Sequence, residues 1–252
     1  MQYGIINLAI VPLRDEPAHR SQQVSQLLFG EDFKVLETKE QWLKVKNEFY
    51  TGWIQAIQCF LLEKADYENF KQKPVQLTQE PVTIIRRNNP DSFLHLPAGS
   101  FLPGILNGQF NIGTTAYELQ NPIPPKENDL IKYAKTYLNT PYLWGGRTHF
   151  GIDCSGFSQA VFLQSGIKIK RDAWQQAEQG ILVDFLQAAK PGDLAFFDNE
   201  AGRIVHVGIM LNNEQIIHAS GSVKIDRIDD QGIFSAEQKK YTHQLRIIKR
   251  FF

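Results

Sequence analysis

Three prolines in the stretch QNPIPPKEND, at positions 122, 124 and 125, constrain this chain more than any other feature. Proline fixes φ and has no amide proton, so neither a strand nor a helix runs through them. The hydrophobic period also differs on the two sides. Before the prolines, short runs alternate apolar and polar residues, as in NLAIVPLR, FKVLETKEQWLKVKNEFYTGWIQ and VTIIRR. Such runs bounded by turn residues read as strands. Turn signals fall at Pro97–Gly99, Pro103–Gly104 and Asn107–Gly108, and YTGW reads as a glycine turn in a half-buried meander. Two small all-β barrels, over 1–65 and 72–122, suit this pattern, with ADYENFKQKP as their connector.

After the prolines the period lengthens. Leu130, Ile131, Ala134, Tyr137 and Leu138 mark one face of a helix that must end before Pro141. A second helix is expected to start near Cys154, with Phe157, Ala160 and Val161 facing inward. Five strand-like runs follow: GDLAFF, IVHVGIML, QIIHAS, SVKIDRI and LRIIKRFF. Helices followed by an antiparallel sheet make an α+β domain over 125–252. With 42% apolar residues the chain can bury several cores, and 27 basic residues are balanced by 27 acidic ones. That balance gives no basic field for nucleic acid or for an anionic membrane surface. The N-terminus, MQYGIINLAIVPLRDEP, lacks a basic n-region and a cleavage site. No run approaches the roughly 18 apolar residues of a membrane span. The expected location is therefore the cytoplasm.

Cys59 and Cys154 are the two thiols, without a CxxC spacing, which disfavours a thiolate-bound zinc or iron–sulfur site. Cys59, in QCFLL, reads as a small buried residue. Cys154 is different. Asp153 just before it is an N-cap signal, which puts the sulfur at the positive end of a helix dipole and favours thiolate. A nucleophilic cysteine also needs a base, commonly histidine. His19, His95 and His243 lie in polar or edge contexts, and His149 sits in a glycine-bounded loop; all four read as structural. His206 and His218 interrupt strands that otherwise read as core. A two-residue turn at Asn212–Asn213 would pair Val207 with His218 and put the two histidines on opposite faces. A three-residue loop, 212–214, would pair Gly208 with His218 and make them diagonal neighbours on one face. The sequence leaves both registers open. A metal centre drawn from His206, His218 and Asp198 lacks any HExxH-type spacing, so no metal is expected.

The ordered motifs YLWGG, DCSGF, RDA, PGDLAFF, HVGIM and IIHAS resemble those of the NlpC-type cell-wall cysteine peptidases, which have a papain-like fold. Upstream, PLRDEPAHRSQQVSQLLFGE and YTGW resemble the bacterial SH3-like modules that precede this domain in γ-D-glutamyl-L-diamino acid endopeptidases of the dipeptidyl-peptidase VI type. The resemblance implies a papain-like α+β domain behind two SH3-like barrels, with no cofactor. It makes Cys154 the nucleophile, His206 the general base, His218 the ring-orienting third member and Tyr142 an oxyanion donor beside the backbone N–H of Cys154. It also implies hydrolysis of the bond between γ-D-Glu and meso-diaminopimelate or Lys, in murein peptides with a free N-terminal L-Ala. A free ammonium wants a partly buried carboxylate. By position Asp172 of RDA supplies one, with Glu16 (its neighbour Asp15 is a rival) and Tyr50 completing the pocket. Trp144, Asp153 and Ser155 are expected to line the same cleft. The implied setting is murein-peptide recycling by a monomer.

Two other classes compete. A peptidoglycan-binding module with a non-catalytic papain-like domain would have no need of Cys154, His206 and His218 together. An acyltransferase with the same Cys–His machinery would need an apolar acyl channel, and no extra apolar hairpin is present to build one.

Overall fold

The computed structural model describes residues 2–124 and 129–252. Its contacts divide the chain into two compact units, Met1–Lys126 and Glu127–Phe252. Pro125, the expected first residue of the α+β segment, lies outside the described residues.

The first unit opens with β1 (Tyr3–Ile5), β2 (Ile10–Arg14), β3 (Gln23–Leu28), β4 (Asp32–Lys39), β5 (Trp42–Lys46), β6 (Thr51–Gln55) and β7 (Phe60–Leu62). These form one antiparallel sheet in the order β3-β2-β6-β5-β4-β1-β7. The expected glycine turn in YTGW is not there. Asn47 makes the turn instead, its Oδ1 accepting the backbone N–H groups of Phe49 and Tyr50 at 3.0 and 2.8 Å. Gly52 lies inside β6, where a Cβ would meet the Arg14 carbonyl oxygen and the Leu13 side chain at 2.7 Å each. The glycine permits close approach rather than a bend.

The expected connector is also more than a linker, because it forms helix α1 (Lys64–Lys71). Tyr67 on this helix stacks on Tyr3 at 4.2 Å and donates its hydroxyl to Asp32 at 2.6 Å. Then come β8 (Val75–Leu77), β9 (Thr83–Asn88), β10 (Asp91–Leu96), β11 (Phe101–Pro103), β12 (Gln109–Ile112) and β13 (Thr115–Leu119). Four of them form a sheet in the order β10-β9-β13-β12, and β11 pairs with β8. Ile5 and Leu62 from the first sheet, with Phe29 just after β3, pack in one core with Phe70, Ile85 and Phe110. The two strand-rich segments therefore share buried surface, which alternation within each segment cannot reveal.

In the second unit α2 (Leu130–Thr136) leads into a short hairpin, β14 (Arg147–Thr148) and β15 (Gly151–Ile152), followed by α3 (Cys154–Gln164) and α4 (Ala173–Ala177). The strands are β16 (Ile181–Val183), β17 (Leu194–Asp198), β18 (Ile204–Met210), β19 (Gln215–Ser220), β20 (Ser222–Asp229), β21 (Gly232–Ser235) and β22 (Lys240–Arg250). Their order is β16-β22-β17-β18-β19-β20-β21, and β21 also pairs with β22. The expected sheet thus closes into a barrel of β17 to β22, with β16 added on the outer side of β22. Closure removes sheet edges.

Side chains alternate across the barrel wall with period two. Leu194, Phe196, Val207, Ile209 and Ile217 pack with the helices. Ala195, Phe197, Met210, Ile216 and Ile233 fill a second core. Every residue of α3 is buried, polar ones included. Some of its polar groups are matched inside: Ser158 donates to Gln176 Oε1 at 2.7 Å, and Gln159 Nε2 donates to the Ile169 carbonyl at 3.1 Å, while Gln159 Oε1 is buried without a hydrogen-bond partner. A helix sequestered on all sides gives the residue at its first turn a fixed position.

Candidate active site

The start of α3 is held by one buried carboxylate. Asp153 is the N-cap, and its Oδ1 accepts the Gly156 N–H at 2.6 Å while Oδ2 accepts the Gly145 N–H at 2.8 Å. Arg171 forks onto both oxygens, at 3.0 Å to Oδ1 and 2.6 Å to Oδ2, and Nη1 also donates to Ser155 Oγ at 2.9 Å. Arg171 is 1% exposed, so the RDA arginine is an internal strut and not a surface residue. Gly145 has φ 74°, a conformation open to glycine at little cost. A Cβ on Gly156 would run into the Gly146 carbonyl oxygen. The glycines of YLWGG and DCSGF are thus needed where a turn and a helix start approach closely. Asp153 and Ser155, expected to line a cleft, are buried and have their side chains committed to this cap.

Cys154 occupies the first position of α3. Its sulfur lies against the backbone N–H of Val207, the residue after His206. Burial pushes the thiol up to about 12, the Asp153 charge adds to the rise, and the N–H groups of Val207 and Ser155 with the Arg171 cation oppose it. The helix dipole is outweighed by desolvation and by the carboxylate one residue away.

The histidine register follows the three-residue loop. Gly208 pairs with His218, Ile209 with Ile217 and Met210 with Ile216, and the Leu211 N–H donates to the Gln215 carbonyl at 2.9 Å. His206 and His218 are therefore diagonal neighbours on one face, with His206 Nε2 and His218 Nδ1 2.9 Å apart. Two residues not singled out in the sequence join them. Asp226 Oδ2 lies 3.0 Å from His218 Nε2, and the His243 ring stacks on His206 at 4.0 Å. His243, read as a structural edge residue, in fact covers the His206 ring. Burial holds His206 well below the ordinary imidazole range, and a proton on His243 or His218 would lower it further. The three histidines each bring a ring nitrogen within 4.8 Å of the others. The facing nitrogens of His206 and His218 are joined by their hydrogen bond, and the His243 ring is stacked on His206 at an interplanar angle of 25°.

Tyr142, 36% exposed, donates its backbone N–H to the Gly221 carbonyl at 2.9 Å. Burial raises its hydroxyl pKa, and charge at Cys154 and at Asp153 raises it further. Trp144 is exposed. Asp172 stands at the N-cap of α4, half buried, with burial raising its carboxyl and Arg171 opposing. In the first unit Glu16 and Asp15 are exposed in the connection from β2 to β3. Tyr50 packs partly buried against the core beneath the first sheet. Cys59 is half buried, its Sγ donating to the Ala56 carbonyl at 3.4 Å.

His149 is a packing residue, stacked on Tyr137 at 3.6 Å and paired with Thr136 Oγ1 at 3.1 Å. Burial lowers its pKa from 6.5 to about 4. Between those values the unfolded chain binds a proton at this site that the folded chain refuses. Folding stability is then lost as pH falls from 6.5 towards 4. His149→Phe keeps the stack and removes the titration, and is expected to flatten this part of a melting-temperature profile. An unchanged slope would show that His149 does not contribute to it.

A cysteine at the first turn of a buried helix, packed on an antiparallel barrel that carries a hydrogen-bonded histidine pair, defines a papain-like hydrolase. Residues 139–246 match the NlpC/P60 family, and residues 13–58 match the bacterial dipeptidyl-peptidase Sh3 domain. The chain is 32% identical to the gamma-D-glutamyl-L-lysine dipeptidyl-peptidase of Bacillus subtilis (strain 168), across 90% of this chain and 81% of that protein. It is 31% identical to the protein of the same name from Bacillus cereus, across 82% of this chain and 71% of that one. The fold is also that of an NlpC/P60 family crystal structure from Bacillus cereus ATCC 10987, with a TM-score of 0.79, 23% identity and coverage of 98% and 99% of the two chains. The chain belongs to the NlpC/P60 family, and it is a peptidase.

Proposed function

We propose that this peptidase hydrolyses the bond between γ-D-Glu and an L-diamino acid, Lys or meso-diaminopimelate, in murein peptides whose N-terminal L-Ala amine is free. The observation that carries the reading is the sulfur of Cys154 set against the backbone N–H of Val207, the residue that follows His206, whose ring leads a hydrogen-bonded histidine pair. The names of the two Bacillus relatives support the substrate class.

In the proposed reaction the Cys154 thiol gives its proton to His206 as sulfur attacks the γ-glutamyl carbonyl carbon. Burial works against charge on both groups, which favours a transfer that accompanies attack. Negative charge then develops on the carbonyl oxygen, where the Tyr142 hydroxyl and the Cys154 backbone N–H act as donors. Collapse breaks the C–N bond, His206 protonates the leaving amine, and a thioester remains. Water, losing a proton to His206, attacks the thioester. The γ-glutamyl carboxylic acid leaves, and the sulfur recovers its proton.

Asp172 is assigned to the free ammonium of the substrate. Its half-buried carboxyl suits this task, because a charge-assisted hydrogen bond gains strength away from water. Intact murein, with its L-Ala amine bound as an amide, would lack the charge that Asp172 recognises. We further propose that segments 1–65 and 72–122 are each SH3-like barrels, that the enzyme works as a monomer, and that its setting is cytoplasmic peptide recycling.

The test is a mass-spectrometric digest of free L-Ala-γ-D-Glu-meso-diaminopimelate, its Lys counterpart and their N-acetylated forms. Cleavage of the free peptides alone, at the γ bond, is expected. Equal cleavage of the acetylated forms would remove the amine requirement, and no cleavage of any would overturn the proposed substrate. Asp172→Asn is expected to reduce the preference for the free amine roughly 10- to 100-fold, the value of one charged hydrogen bond. An unchanged preference would take Asp172 out of the site.

A further inference from the structure

The hydrogen-bonded chain does not stop at the second histidine. His206, His218 and Asp226 step diagonally across three neighbouring strands, and the pairing explains why they line up. Gly208 on β18 is opposite His218 on β19, and His206 is two residues from Gly208. His218 is in turn opposite Lys224 on β20, and Asp226 is two residues from Lys224. Steps of two preserve the face, so all three side chains lie on one side of the barrel wall. The resulting contacts are 2.9 Å from His206 to His218 and 3.0 Å from His218 to Asp226.

From this geometry we infer that Asp226 is a positioning residue that sets the direction of every proton in the chain, and so keeps the Nδ1 of His206 free to act as the base. An ionised carboxylate can only accept. His218 Nε2 must therefore carry a hydrogen and donate it to Asp226. A neutral imidazole has one N–H, which leaves His218 Nδ1 as an acceptor. The hydrogen between the rings then belongs to His206 Nε2, and His206 Nδ1 keeps its lone pair. Without a fixed acceptor at the far end, either ring could donate to the other. In the reversed arrangement His206 Nε2 accepts, and its only N–H sits on Nδ1, where it cannot take the thiol proton.

The surrounding charges agree with this direction. The His218 hydrogen bond holds the Asp226 carboxyl below the ordinary range. Lys224 Nζ, 3.9 Å from Asp226 Oδ2 and 3.9 Å from Glu237, adds a cation on the same strand. From β22, His243 covers His206, and burial lowers its pKa to about 4, so that it faces the chain as a neutral ring near neutral pH. When His206 takes the thiol proton, its positive charge is passed as polarisation through His218 to a carboxylate already in place. No proton needs to move beyond His206.

The inference rests on the proposed roles of Cys154 and His206, and its test separates the two. In the wild-type chain, two-bond proton–nitrogen spectra of the imidazole rings should show both His206 and His218 protonated at Nε2. His218 protonated at Nδ1 would overturn the inference whether or not the enzyme cleaves anything. In Asp226→Asn the amide can either accept from or donate to His218, so mixed or reversed tautomers are expected. With the free L-Ala-γ-D-Glu-L-Lys peptide, kcat should fall roughly 10- to 100-fold with KM little changed. That is less than removal of a carboxylate in direct contact with the catalytic histidine, because one ring intervenes. Asp226→Glu should recover part of kcat together with the native tautomers. A fall in kcat with both rings still protonated at Nε2, or an unchanged kcat, would refute the positioning role. Absence of cleavage by the wild type would remove the proposed substrate while leaving the ring spectra to decide the chain's direction.

Discussion

Cys154→Ala is expected to abolish turnover of the free γ-glutamyl peptide while leaving its binding intact. Removing a covalent nucleophile costs more than any other single change in such a site, at least about 10⁴-fold in kcat. The change itself is small. Cys154 is buried at the first turn of α3, and the cap that positions this turn is built by Asp153, Gly145, Gly156 and Arg171 rather than by the sulfur. Alanine keeps the helix, the Val207 strand and the backbone N–H proposed as an oxyanion donor. Calorimetric titration with the uncleaved peptide should therefore give a dissociation constant close to the wild-type KM where chemistry is slow. Hydrolysis by this variant at more than a thousandth of the wild-type rate would exclude the thioester route. A folded variant that binds no peptide would place the thiol in recognition rather than in bond making.

What the sequence makes legible here is whatever depends on neighbours along the chain. Asp153 reads as an N-cap from its position alone, and the cap is present. The proline trio separates two hydrophobic periods, and the contacts divide the chain between Lys126 and Glu127. Legibility ends where a function depends on register. Whether His206 and His218 meet turns on one residue of loop length between β18 and β19, and both choices satisfy the same apolar pattern. Asp226 is further removed, because its place beside His218 depends on a second register, that of β20. His243 reaches His206 across β17, whose pairing with β22 is shifted between Phe196 and Phe197. A bulge of this kind changes which residues share a face, and strand alternation gives no sign of it. Gly52 illustrates a related ambiguity. A glycine beside a polar pair reads equally well as a turn or as a close approach, and the backbone of Arg14 decides for the second. The environment of Cys154 is only half legible: the helix dipole is local and visible, whereas burial by the rest of the domain, the largest influence on the thiol, is not.

Arg171→Met should be the most destabilising substitution in the second unit, at about 3–5 kcal/mol, the usual cost of stranding one member of a buried ion pair. Arg171 and Asp153 are 1% and 5% exposed, and the two terminal guanidinium nitrogens donate one to each carboxylate oxygen. With the guanidinium gone, Asp153 still receives the Gly145 and Gly156 N–H groups, but two amide dipoles do not neutralise a buried anion. Ser155 Oγ loses its donor at the same time. Arg171→Lys should restore only part of the loss, since one ammonium cannot reproduce the two-pronged geometry. The reciprocal change, Asp153→Asn, strands the cation instead and should cost a similar amount, whereas the double substitution Asp153→Asn with Arg171→Met should cost less than the sum of the two. That non-additivity is the signature of a direct pair. Because the chain has two units, the measurement is best made by hydrogen exchange at the α3 amides under increasing denaturant, which reports the second unit by itself. A loss below about 1 kcal/mol for Arg171→Met, or strict additivity in the double variant, would mean that the helix start is held by the amide caps alone. In that case the RDA arginine would have to be explained by its electrostatic effect on Cys154, where its cation lowers a thiol pKa that burial and Asp153 both raise.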